Sequence, residues 1–87
     1  MKKEIFDQVK KLLCQNCEGI DITSINEATF LCENGLLFNS LELLSLYIII
    51  EDHFHIQFDP DDYVRLKTIG DIVNKIEKII ERPNKNR

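Results

Sequence analysis

A chain of 87 residues makes one small domain: at this length only somewhat above ~60% of the unfolded chain's surface is buried, which leaves no room for a large enclosed catalytic cleft. With 44% hydrophobic and 30% charged residues the composition is that of an ordinary soluble globular protein, neither a disordered tail nor a membrane protein. A net charge of -4 offers no broad positive field for counterion release, so nucleic acid is excluded as a first-choice partner.

Lys2 and Lys3 are reminiscent of a signal peptide, but Asp7, Gln8, Lys10 and Lys11 interrupt any apolar segment behind them. The longest unbroken aliphatic and aromatic stretch, from Leu46 to Ile50, is far too short to span a bilayer. A cytoplasmic protein is expected. Ile5, Phe6, Val9, Leu12 and Leu13 recur at helical spacing among charged residues and predict an amphipathic helix over about 3–15.

Cys14, Cys17 and Cys32 are an odd number without a secretion signal, so reduced thiols are expected rather than a disulfide framework. As a zinc site the Cys14 and Cys17 pair would have only Cys32, His53 and His55 to complete it, with no second closely spaced cysteine pair. As a redox pair it stands at the end of a helical pattern instead of opening one. No metal site is expected.

Residues 16–38 form a long connection broken by Gly19, Thr23, Ser24, Asn26, Asn34 and Gly35. Its apolar members, Ile20, Ile22, Ile25, Phe30, Leu31, Leu36 and Leu37, are too many for a solvated loop and should pin it onto the helices. Asn39, followed three residues later by Glu42, predicts a capped helix running to about Phe54. Leu43, Leu46, Tyr47, Ile50 and Phe54 form its core stripe. Leu41, Leu44 and Ile48 form a second stripe, offset around the axis, with Ile49 beyond it. So small a domain cannot easily bury both, and the second stripe is expected to meet a partner.

Asp59-Pro60-Asp61-Asp62 stops a loop and starts a short helix ending near Leu66. Thr68 and Asp71 then cap a last amphipathic helix carrying Ile69, Ile72, Val73, Ile76, Ile79 and Ile80, which Pro83 ends. The expected fold class is all-α: three long helices, one short one and a long first loop, in a single domain with its core over about 3–81 and a frayed tail at 82–87.

Asn39-Ser40-Leu41-Glu42-Leu43-Leu44 resembles the attachment motif of acyl and peptidyl carrier proteins. The resemblance runs from about Phe30 to Ile80 and includes Glu51-Asp52-His53-Phe54-His55-Ile56 and Lys67-Thr68-Ile69-Gly70-Asp71-Ile72. It implies a four-helix bundle of acyl-carrier type and a 4'-phosphopantetheine arm, taken from coenzyme A, joined to Ser40 by a phosphodiester. Cargo would sit on the arm's thiol as a thioester, and the core face of the bundle would shelter part of a hydrophobic acyl chain. The physics of the position agrees, because free amides in the first turn of a helix favour a phosphate there.

The implied partners are a phosphopantetheinyl transferase and the enzymes that load and process cargo: an adenylating enzyme, a ketosynthase or a condensation domain. They would meet a monomer on Leu41, Leu44, Ser45, Ile48, Glu51 and Asp52. Asn39 departs from the family's commonest aspartate, keeping the cap while removing a negative charge. That departure and the modest net charge favour a dedicated carrier of a specialised nonribosomal peptide or polyketide-type pathway over the acyl carrier of primary fatty-acid synthesis. The rival from another class is an unmodified helical interaction protein. An enzyme is disfavoured, since His53 and His55 lie more than a dozen residues from Ser40 with no oxyanion motif, and both are expected at the surface.

Overall fold

The structure, a computed structural model, describes residues 2–17, 19–32, 35, 36 and 38–81. The first helix, α1 (Lys2–Asn16), buries Ile5, Val9, Leu12 and Leu13 and leaves Lys2, Lys3 and Lys11 exposed. Phe6, only half-buried, lies with its ring 5.0 Å from the Lys10 ammonium. Near the end of α1 the Asn16 side-chain amide donates to the Leu12 carbonyl at 2.8 Å and the Cys17 amide to the Leu13 carbonyl at 2.9 Å.

The connection that follows is folded onto the bundle. Asp21 organises a single 3-10 turn, Ile22–Ser24, by accepting from the Thr23 amide at 3.1 Å and the Thr23 hydroxyl at 2.6 Å. Ile25 and Leu31 are buried, and Ile20 and Leu36 pack against the core at their edges. Phe30 corrects the expectation that every apolar residue here pins the loop, for its ring is 44% exposed. Its backbone does the fastening instead, in bridges to Gly35 and Thr68.

The second helix, α2 (Ser40–Phe54), begins at a complete capping box. Leu46, Tyr47 and Ile50 are buried, whereas Leu43 and Phe54, at the ends of the expected core stripe, are half-buried and pack against the edge of the core. The helix ends at His55, which is in the left-handed conformation at φ 59°, a place that favours glycine; its amide returns to the Glu51 carbonyl.

The third helix, α3 (Asp62–Arg65), is one turn long. Asp62 is buried, accepts from the Asp59 amide at 2.9 Å and lies 3.5 Å from the Lys75 ammonium of the next helix. A carboxylate can be buried here because it is both hydrogen-bonded and paired.

The fourth helix, α4 (Ile69–Ile80), is capped by Thr68 and Asp71 in a second capping box and buries Ile69, Ile72, Val73 and Ile76. Its first two amides find their acceptors in the long connection: Ile69 donates to the Thr29 carbonyl at 2.9 Å and Gly70 to the Glu27 carbonyl at 2.8 Å. This docking explains the glycine, since a Cβ at Gly70 would stand 2.8 Å from the Glu27 carbonyl oxygen. Gly70→Ala should therefore lower the melting temperature, because a clash costing ~1–3 kcal/mol outweighs the ~1 kcal/mol of helix propensity that alanine returns. A thermal melt followed by circular dichroism checks it.

The result is an all-α four-helix bundle in which α1 packs on both α2 and α4 around one core completed by Phe58. Among the described residues the only β-type pairing is in isolated bridges, and no helix is long and apolar enough to cross a membrane. The expectations for Leu37, the Ile22 side chain, Pro83 and the tail at 82–87 lie outside the described residues.

Candidate functional site

Three serines are available, and the fold treats them differently. Ser24 spends its hydroxyl on the Asp21 carbonyl at 2.9 Å. Ser45 is exposed inside α2, where the backbone amides are already used by the helix. Ser40 is exposed and is the first residue of α2.

The start of α2 is held by its neighbours and leaves Ser40 free. The Asn39 side chain accepts from the Glu42 amide at 2.8 Å, and the Glu42 carboxylate accepts from the Asn39 amide at 2.9 Å. The Leu43 amide closes the first turn on the Asn39 carbonyl at 2.9 Å. Among the described residues no acceptor is recorded for the Ser40 and Leu41 amides, and no partner for the Ser40 hydroxyl. Two unpaired N-H groups at the positive end of a helix, beside an exposed hydroxyl, fit a phosphodiester.

Below Ser40 the outer face of α2 is apolar and open to water: Leu41 is 73% exposed, Leu44 42% and Ile48 54%. Ser45 and Asp52 are exposed as well. Glu51 is different, being half-buried with one carboxylate oxygen accepting from the Phe58 amide at 2.8 Å. It fastens the loop after α2.

The histidines stand at the other end of that helix. His53 meets the Gln8 side chain at 2.8 Å and lies edge-on to Phe54, and His55 is the exposed C-cap. The thirteen residues from Ser40 to His53 place them ~20 Å apart along the axis, so no serine–histidine pair forms. Cys14 and Cys32 are exposed and Cys17 is half-buried, all three as free thiols. Burial, with Glu42 nearby, pushes the Cys17 thiol pKa up and keeps it a weak nucleophile. Among the described residues no group of three or more His, Cys, Asp or Glu side chains is placed to hold a metal ion.

Two clefts flank α2. One, of about 560 Å³, runs between the helix and the long connection and is lined by Cys17, Phe38, Glu42, Ser45 and Ile49 among others. The other, of about 390 Å³, lies on the α3 side between Phe30, Leu31, Leu43, Tyr63, Val64 and Leu66. The first brings Cys17 and Glu42 to one wall, but the Glu42 carboxylate is taken by the Asn39 amide and the thiol is held protonated, and among the described residues neither cleft includes a histidine.

An exposed serine at a helix start with unpaired amides beside it, and an apolar face below it, suit a chain that carries a phosphate-linked group. Comparison with known proteins gives the same class. The family model described as "Phosphopantetheine attachment site" matches residues 7–76. An acyl carrier protein of Thermotoga maritima is 34% identical over 77 residues, 88% of this chain and 93% of the relative. One of Lactobacillus acidophilus is 34% identical over 76 residues, 87% of this chain and 92% of the relative. One of Clostridium acetobutylicum is 30% identical over 74 residues, 84% of this chain and 92% of the relative. The chain belongs to the phosphopantetheine-attachment family of carrier proteins. It is a non-catalytic carrier whose prosthetic group is a covalently attached 4'-phosphopantetheine derived from coenzyme A.

Proposed function

We propose that Ser40 is the attachment point and that the chain is an acyl carrier protein of fatty-acid synthesis, working in the cytoplasm as a monomeric single domain. The observation that carries the site is the exposed Ser40 hydroxyl at the first turn of α2 beside the unpaired amides of Ser40 and Leu41. The acyl reading is supported by relatives named acyl carrier protein in three bacteria, each covered over nine-tenths of its length. The specialised-pathway expectation rested on Asn39, on Ser45, on a modest net charge and on the apolar face of Leu41, Leu44 and Ile48, none of which names a pathway. Asn39 completes the capping box as aspartate would, and net charge adjusts how tightly partners are drawn in without naming them.

Attachment forms a bond from Ser40 Oγ to a phosphorus of the coenzyme A pyrophosphate and breaks the bridging P-O bond. Adenosine 3',5'-bisphosphate leaves. The serine proton goes to a base on the phosphopantetheinyl transferase, since this chain's histidines are ~20 Å away. When bound, the group supplies a terminal thiol that holds cargo as a thioester. The Ser40 and Leu41 amides would stabilise the phosphate, and the capped turn would give the arm a rigid base.

The transferase and later enzymes read Leu41, Leu44 and Ile48, with Ser45 and Asp52 at the margin. Glu51 is left out of this surface because its carboxylate holds the Phe58 amide. The test is loading. The phosphopantetheinylated chain, given malonyl-CoA and a malonyltransferase of bacterial fatty-acid synthesis, should gain a malonyl group by intact mass. Refusal of malonyl, together with loading of an amino acid by an adenylating enzyme, would move the chain to a peptide pathway.

A further inference from the structure

The Tyr47 hydroxyl is buried and has no hydrogen-bond partner among the described residues, while the whole residue is sealed from solvent. Buried hydroxyls nearly always find a partner, so one left alone in the middle of a core calls for a missing acceptor or donor. Its surroundings say from which side that partner comes. Tyr47 lies one turn below Leu43 on the same face of α2, and Leu43 lines the α3-side cleft. The Tyr47 ring packs at 4.9 Å on Tyr63, another lining residue of that cleft, and at 5.2 Å on Phe58 at its back.

The groups near enough to influence the hydroxyl are Asp62, Cys32, Tyr63 and Asp71, of which Cys32 and Tyr63 line the cleft. Burial, then Asp62, raises the hydroxyl's pKa well above the usual tyrosine range, so it stays a proton donor. Asp62 meets the Asp59 amide and Lys75 through Oδ2, and Asp71 meets the Lys67 and Thr68 amides through Oδ2; neither carboxylate comes within hydrogen-bond reach of the Tyr47 hydroxyl.

Tyr63 both lines the cleft and packs on the Tyr47 ring, so it is the side chain that separates the two. Tyr63 is half-buried and belongs to α3, a single turn whose Val64 is 73% exposed. A single turn has few backbone hydrogen bonds to lose in a local opening. The cleft behind the wall is lined mainly by Phe30, Leu31, Leu43, Val64 and Leu66, which suit an alkyl chain. An alkyl chain alone leaves the hydroxyl orphaned.

We propose that Tyr47 is a specificity-determining residue for the cargo: its hydroxyl donates to an oxygen carried on the acyl chain when the chain enters the α3-side cleft beneath Tyr63. The favoured cargo is thus an oxygenated acyl chain, hydroxylated or oxo, over the saturated chain of the same length. This rests on the carrier reading with Ser40 as the attachment point.

The experiment loads the full chain, wild type and Tyr47→Phe, from the coenzyme A thioesters of decanoate and of hydroxydecanoates with the hydroxyl at successive carbons. Intact mass verifies loading and thermal melts read the effect. At least one hydroxydecanoyl form of the wild type should melt about 4 °C or more above the decanoyl form. In Tyr47→Phe that gain should vanish, and without cargo this variant should melt as high as the wild type or higher, because it loses only an unsatisfied group. Equal melting of all loaded wild-type forms would overturn the inference, as would a gain that persists in Tyr47→Phe. An unloaded Tyr47→Phe that melts well below the wild type would also overturn it, showing that the hydroxyl is already satisfied. No mass gain on any form would instead strike the carrier reading, and this inference with it.

Discussion

Leu46→Ala should destabilise the fold by ~2–5 kcal/mol, whereas Ile48→Glu, two residues further along the same helix, should leave the melting temperature nearly unchanged and impair phosphopantetheinylation. The contrast follows from exposure. Leu46 is 2% exposed in the core with Tyr47 and Ile50, and an alanine there leaves a cavity that the neighbouring helices cannot fully close. A domain of this size has only a few kcal/mol to lose, so the shift is expected at ~10 °C or more. Ile48 is 54% exposed on the face that carries Leu41 and Leu44, so a carboxylate there remains in water. Its cost falls on docking, because a partner that covers this face would have to bury an unpaired charge. Circular dichroism melts and a transferase assay on the two variants separate the effects. Were Ile48→Glu to unfold, with its folded fraction modified at the normal rate, the face would be core and the docking surface would lie elsewhere.

Ser40→Ala should abolish modification while the chain stays folded. The cap at the start of α2 is made by Asn39 and Glu42, not by Ser40, and the Ser40 hydroxyl bonds to nothing among the described residues. Alanine also suits a first-turn helical position, so any loss of stability should stay below ~1 kcal/mol. Asn39→Ala should behave in the opposite way, weakening the helix start while leaving the reactive hydroxyl in place. A melt beside each transferase assay keeps loss of the nucleophile distinct from loss of its support.

What could be read in the sequence was local. Asn39 with Glu42 and Thr68 with Asp71 announce their capping boxes within four residues, and both are present as read. The helical period of α1 and α4 depends on side chains a turn apart, so their limits follow to within a few residues. What was hidden depends on residues far apart in the chain. Gly70 looks like a helix breaker until the Glu27 carbonyl is found against it, and Glu51 looks like a free surface acid until the Phe58 amide is found on it. Phe30 has the composition of a core residue, but its backbone bridges fix it with the ring outward over the cleft. The core stripe of α2 is fully buried in its middle and half-buried at Leu43 and Phe54, since periodicity gives the face that packs but not the depth of burial. The orphaned Tyr47 hydroxyl gives no sequence signal at all, because a partner is missing only once the packing is known.

The most direct test of the central claim is mass spectrometry of the wild type and Ser40→Ala after incubation with coenzyme A and a broad-specificity phosphopantetheinyl transferase, with peptide mapping of the product. The wild type should gain a single phosphopantetheinyl group, located on the peptide that carries Ser40, and the alanine variant should gain none. Equal modification of Ser40→Ala, or a group mapped to Ser24 or Ser45, would contradict the assignment of Ser40 as the attachment point.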